Sequence, residues 1–350
     1  MRSGLRGLPL AGFLSLLPPV LAMGASNPSF KRKVSSRTVR GAALPPIRGF
    51  AASPKMTVEE LVKGYSSLGF QASHLSKAAE VVARMQRERA TVFLSFTSNM
   101  VSSGLREIIA SLCQHRLVDC IITSTGSIEE DVMKCSAPFS LGSFNADDAE
   151  LKENGMNRIG NIFVKDEQYV AFEKMHLKFM QRMYDKHCGK MCMSEYVKEL
   201  GATLDDKSSF LYWCSRNSIP VFVPGALDGA MGDHFYFFNK QRHKQPFIID
   251  AAEEVKRFYD IMLSADRTGG IILGGGIAKH HLIGAAILRN GLDYAVYLST
   301  GTEGDGSLSG ARPREAVSWN KLKEEKNSAF VEGDATLTFP LLACVMMGKK

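Results

Sequence analysis

From about residue 57 onward the chain alternates between two rhythms. Short runs of β-branched and apolar residues give way to longer stretches in which apolar residues return every three or four positions. Thr57-Val-Glu-Glu60 has the form of a capping box and predicts a helix start, and the spacing predicts a second helix over 75–87. Strands are predicted at 91–96, 117–124, 219–223, 269–273, 293–299 and 329–332. Helices are predicted at 104–115, 128–135, 278–289, 315–325 and 336–347. Strands alternating with helices imply crossover connections and parallel pairing, with helices covering both faces. The pattern predicts an α/β fold: a doubly wound, Rossmann-like, mostly parallel sheet flanked by helices.

The first fifty residues do not share this pattern. They hold six of the thirteen prolines, eight basic residues and no acidic one. An apolar run over 8–22, with Arg2 and Arg6 ahead of it, has the outline of a signal peptide. It is too short, and too broken by Pro18-Pro19, for a membrane span. We expect 1–50 to be a basic, proline-rich leader, dispensable or lying around a true start at Met23. Residues 51–350 are expected to form one catalytic domain, in the cytoplasm and without a membrane partner.

The net charge of +7 belongs to that leader, leaving the remaining three hundred residues at −1. A near-neutral body has no electrostatic footprint for wrapping nucleic acid. The seven cysteines are odd in number and scattered, as expected of free thiols in a reducing compartment. Cys188 and Cys192 lie close together, but no second pair completes a tetrahedral metal site, so no metal is expected.

In doubly wound sheets ligands collect beyond the carboxyl ends of the strands. The residues there are small: 97–104 after the first strand, 124–127 after the second, 224–233 after the third, 274–281 after the fourth and 300–310 after the fifth. Such loops at helix N-termini let backbone N–H groups approach phosphate, and a dinucleotide would suit several of them together. Gly274-Gly-Gly276 alone is a weak signal, lacking the third glycine of the usual fingerprint. Glu129, Glu130, Asp228, Asp233, Glu303, Asp305 and Glu315 lie in or beside these loops and suggest a cationic ligand. Of the adjacent His280 and His281, one is expected to face the core and one the cleft. Glu315 and Trp319, four apart, would share a helical face, and a carboxylate beside an indole suits an ammonium group. Lys321, if desolvated there, could act as an amine nucleophile.

Together these segments resemble deoxyhypusine synthase, from about Arg48 to the end of the chain. The resemblance is carried by Thr97-Ser-Asn-Met-Val-Ser-Ser-Gly104, Glu129-Glu-Asp131, Asn154-Gly-Met-Asn-Arg-Ile-Gly-Asn161, Asp228-Gly-Ala-Met-Gly-Asp233, Leu273-Gly-Gly-Gly-Ile-Ala-Lys-His-His281, Ser309-Gly-Ala-Arg-Pro-Arg-Glu-Ala-Val-Ser-Trp-Asn-Lys321 and Gly333-Asp-Ala335. It implies an enzyme that uses NAD to oxidise spermidine and moves the 4-aminobutyl group onto a lysine as an imine. The group then passes to a lysine of the eukaryotic translation initiation factor 5A precursor. By resemblance Lys321 is the nucleophile and His281 the acid–base group. Glu129, Glu130, Asp233, His281, Gly306, Ser307, Glu315 and Trp319 would hold the polyamine. Ser98, Asn99, Met100, Val101, Ser102, Ser124, Thr125, Gly126, Glu130, Asp228, Gly276, Thr300, Gly301, Asp334 and Ala335 would line NAD. The family's site lies between two subunits of a tetramer, so a homo-tetramer or a hetero-tetramer with a paralogue is implied.

Two departures fall in the polyamine pocket: Leu308 where the family has an aspartate, and Leu282-Ile-Gly-Ala-Ala286 where it has an asparagine-bearing segment. Losing one charge-assisted contact costs about 1.5–3 kcal/mol, or one to two decades of affinity. A weakly active or inactive paralogue that activates a sister chain, and a homospermidine synthase, therefore stand as alternatives.

Overall fold

A computed structural model describes residues 44–241 and 245–348. Most of the expected leader, residues 1–43, lies outside the described residues. The body over 47–348 is built on six parallel strands: β1 (Thr91–Ser95), β2 (Cys120–Ile122), β3 (Val221–Phe222), β4 (Thr268–Leu273), β5 (Tyr294–Ser299) and β6 (Ser328–Glu332). Their spatial order is β6-β5-β4-β1-β2-β3. This is the order of dinucleotide-binding sheets, with the reversal between β1 and β4. At that junction Phe93 lies opposite Gly270 on one side and Cys120 on the other.

Strand periodicity divides the core into two layers. Val92, Leu94, Ile121, Ile271, Val296, Leu298 and Val331 face one layer; Phe93, Cys120, Ile122, Ile272, Tyr297 and Phe330 face the other. With both faces covered, strand after strand reads as an unbroken apolar run, as buried parallel strands do. The helices Phe70–Arg87 and Ala335–Met347 pack on the first face. The second face receives Gly276–Ala285 and Ala251–Ser264 through Ala278, Leu282, Phe258 and Met262. Gly269 has no room for a side chain, because a Cβ there would lie 2.6 Å from Sδ of Met85.

The α/β class and all six strands are found, with shifted ends. Thr57 forms the expected capping box with Glu60 at the head of Val58–Gly64. The helix expected over 75–87 begins earlier, at Phe70. The one expected over 104–115 begins at Arg106, because Gly104 sits at φ 97° and ends a widened turn over Val101–Leu105. The helix expected over 315–325 is Pro313–Ser318: Trp319 leaves helical geometry, Asn320 takes φ 53°, and Leu322 bridges to Leu292. Between β2 and β3 the chain adds an antiparallel insertion (Ser140–Leu141, Met156–Ile159, Ile162–Lys165) and the helix Asp166–Lys186. Among the described residues no helix is long and apolar enough to cross a membrane.

Candidate active site

The β1–β4 junction assembles the phosphate-friendly loops. After β1, Ser98–Met100 forms one helical turn that runs into the Val101–Leu105 turn. The Ser98 N–H donates to Ser124 Oγ at 3.1 Å, and a Cβ on Gly126 would lie 2.9 Å from that of Ser98. Ser98, Ser124, Thr125 and Gly126 therefore meet, and Thr125 Oγ1 ties them to the β3 loop through the Gly225 carbonyl at 2.6 Å. Asn99 is exposed, Met100 partly covered, and Val101 and Ser102 are buried. Across the junction Gly276, at φ 64°, opens a helix that no side chain caps. A Cβ on Gly276 would lie 3.8 Å from Thr97 Cγ2, so the β1 and β4 loops stand side by side.

The β5 and β6 loops join the same edge. Gly301 N–H donates to Ser299 Oγ at 3.0 Å, Gly333 N–H donates to the Ser299 carbonyl at 3.0 Å, and Thr300 is exposed. Asp334 caps the helix that starts at Ala335 by accepting from Thr336 N–H at 2.7 Å. Uncapped helix N-termini and a glycine with no neighbouring side chain at Gly274 make a cradle that fits a dinucleotide pyrophosphate.

The carboxylates form a group on the β1–β3 side. Glu129 and Glu130 are buried in the helix Thr125–Ser136, not in a loop. Glu129 accepts the Met231 N–H at 2.6 Å and thereby caps the helix Ala230–Lys240. Burial raises its pKa to about 6, with Asp228 and Asp233 adding to the rise. Glu130 accepts from Ser102 Oγ at 2.5 Å, and burial pushes its pKa to about 7 against the pull of that bond and of Lys134. Asp228 and Asp233 are exposed. Asp131, the third acid of the string, is wholly buried and structural, bonded to Arg106 and Ser209 at 2.6 Å each.

Lys321 lies on the other side, beyond β5. The short helix Pro313–Ser318 sets it: Lys321 N–H returns to the Ala316 carbonyl at 2.8 Å, and Leu292 N–H holds the Lys321 carbonyl at 3.1 Å. Its Nζ lies 5.3 Å from the Trp319 ring centre, within cation–π range. The crevice around it is lined by Lys279, Leu308, Arg312, Glu315 and Trp319 among others, so Glu315, Trp319 and Lys321 do come together although not on one helix. Trp319 is 62% exposed. Gly306, at φ 69°, and Ser307 are exposed on the loop that leads to Leu308. None of Glu129, Glu130, Asp228 or Asp233 lines this crevice.

The histidine pair divides as a core-facing and an outward residue. His281 stacks on Phe258 with ring centres 4.6 Å apart, and burial lowers its pKa to about 4. His280 is the exposed member. Two cations of the crevice stand within the motif strings of the sequence without a role assigned to them there. Arg312 pairs with Glu332 at 2.8 Å and lies over Phe330, and Lys279 is buried in the apolar stripe of its helix. A lysine at a position where the stripe calls for an apolar residue was the available signal.

Residues 60–346 match the family model described as deoxyhypusine synthase. The Pyrococcus furiosus protein named "Probable deoxyhypusine synthase" is 44% identical over 305 residues, covering 83% of this chain and 91% of its own. A crystal structure assigned to a deoxyhypusine synthase of Entamoeba histolytica superposes with a TM-score of 0.59 at 24% identity, over 87% of this chain and 97% of that one. A ternary complex of AgrE with ornithine and NAD+ shares the fold at a TM-score of 0.50 and 14% identity, over 86% of this chain and 34% of that one.

Proposed function

Because this chain belongs to the deoxyhypusine synthase family, we propose that it transfers the 4-aminobutyl group of spermidine, through an imine on Lys321, to a lysine of the eukaryotic translation initiation factor 5A precursor. The observation that carries this reading is the Lys321 amine beside an exposed indole and the Glu315 carboxylate, within the matched region. NAD, held by the cradle at the β1–β4 junction, supplies hydride acceptance when bound. A neighbour of the same fold is described as a complex with NAD+, which supports that cofactor.

Each residue then has a defined task. Trp319 presents a π face to a cationic amine, and Glu315 neutralises it. Lys321 adds to the oxidised carbon of the polyamine and displaces 1,3-diaminopropane, leaving the four-carbon group as a Lys321 imine. The acceptor lysine displaces Lys321 in turn, and the resulting acceptor imine would be reduced by return of the hydride taken from spermidine, so the bound cofactor would end the cycle in its starting state. The acid–base role assigned to His281 passes to His280, because His281 is stacked on Phe258 while His280 is exposed. Glu129, Glu130 and Asp233 bind the rest of the polyamine from a second subunit. The Lys321 crevice itself holds Glu315 but none of those three acids, which supports a site completed across an interface. The scattered free thiols suit a cytoplasmic enzyme.

Full-length protein incubated with NAD, labelled spermidine and the factor precursor is expected to move label onto the factor. Lys321→Arg, which keeps the charge but cannot form the imine, is expected to lower transfer at least ~1000-fold. Transfer that survives the substitution, or label that appears in homospermidine instead, would overturn the reading.

A further inference from the structure

Lys279 is buried to 1% exposure in the helix Gly276–Ala285, one of the largest enclosed side chains of the protein. Its Nζ donates to the Leu308 carbonyl at 2.5 Å and to the Ala311 carbonyl at 3.1 Å. It also lies 4.8 Å from the Tyr297 ring centre. Two carbonyls and one π face give an ammonium a partner for each of its three N–H donors. The segment it ties down, 308–311, forms one wall of the crevice that holds Lys321. A methionine would fill this space without a buried charge, and that charge carries a desolvation penalty.

We propose that Lys279 is a positioning residue for Lys321: its ammonium fixes segment 308–311 as a wall of the crevice and competes with Lys321 for Glu315. Only what Lys321 then does rests on the transferase reading; the positioning itself does not. Facing Lys279 are Tyr297 from β5, Arg312 and Glu315 from the segment and helix before Lys321, and Lys321 itself. Burial, with Lys321 and Arg312 adding to it and Glu315 opposing it, lowers the Lys279 pKa to about 8. Burial raises the Tyr297 pKa, so its phenol stays neutral. Arg312 is paired with Glu332. As pH rises through about 8, Lys279 loses a donor and its charge, the tie to segment 308–311 relaxes, and Glu315 is left to Lys321.

The test follows Lys321 chemically. The full-length protein is pulsed with isotope-coded acetic anhydride from about pH 6 to about pH 10, a range that spans lysine titration in proteins. Labelling of Lys321 is read by mass spectrometry against the exposed Lys152. Wild type is expected to show an inflection in Lys321 reactivity near pH 8, and Lys279→Met to remove it. In the transfer assay kcat of the variant is expected to fall about tenfold, with KM for spermidine changed less than about threefold. A merely structural role would lower the melting temperature and leave the pH profile of Lys321 unmoved. No inflection in wild type, or the same inflection in the variant, overturns the proposal. If Lys279→Met does not fold, the wild-type profile decides alone. A profile that changes as expected in a protein that transfers no aminobutyl group would uphold the positioning role and overturn the transferase reading.

Discussion

The carboxylate group around Glu129 and the crevice around Lys321, on the two sides of the sheet's carboxyl edge, differ in charge. On the β1–β3 side, the charges acting on buried Glu129 are the like charges of Asp228 and Asp233. On the β4–β6 side Lys279, Arg312 and Lys321 share the crevice with Glu315. Left alone, the acidic half would bind a polyamine with no nucleophile at hand, and the basic half would hold a nucleophile with one carboxylate to attract a cation. The topology puts them on either side of the β1–β4 reversal. Under the proposed transferase reading each half needs a complement, which pairing two chains across an interface would supply.

The largest effect that separates the halves is complementation. Lys321→Arg and Asp233→Ala chains, each expected to be nearly inactive, are expected to regain about a quarter of wild-type transfer after unfolding and refolding together, since random pairing in a two-fold dimer makes that share of sites whole. Recovery of nothing would place both halves of one site in a single chain. Glu130→Gln sharpens the acidic half. Removing that charge is expected to weaken spermidine binding at pH 8 by one to two decades, or about 1.5–3 kcal/mol. Its folded pKa, about 7, lies above the usual carboxyl value of 4.5, so the folded chain holds the extra proton between these values. Stability contributed by that group is lost as pH rises through this window. Urea midpoints should thus favour Glu130→Gln over wild type at pH 8 and converge near pH 4. The smallest effect belongs to Trp319→Ala on the basic half, where losing one cation–π contact is expected to raise spermidine KM by roughly 2–30-fold.

What the sequence made legible follows from what each signal measures. All six strands were readable because both faces are buried, so β-branched runs such as Gly269-Gly-Ile-Ile-Leu273 stand out against their neighbours. The insertion over 140–165 was not: Ser140–Leu141 is exposed, with Leu141 at 84%, and Met156–Ile159 has no buried residue, so no buried apolar run marks these strands. The helix near Lys321 was read too long because its residues suit a helix. What ends it is a tertiary bridge from Leu322 to Leu292, which local spacing does not contain. The same limit applies to the histidines. The pair was recognised, but which ring faces Phe258 depends on a helix contributed from residues 251–264.

Trp319 has one further consequence. The chain has only two tryptophans. Trp213 is partly covered, with its indole N–H donated to the Lys207 carbonyl at 2.8 Å, whereas Trp319 lies open in the crevice. The molecule thus carries a native optical probe beside the Lys321 amine. Its emission should start at long wavelength and be quenched by iodide. A polyamine or a second chain that covers the crevice should shift it to the blue and shield it, so occupancy of this site can be followed by light, without a label and before any chemistry takes place.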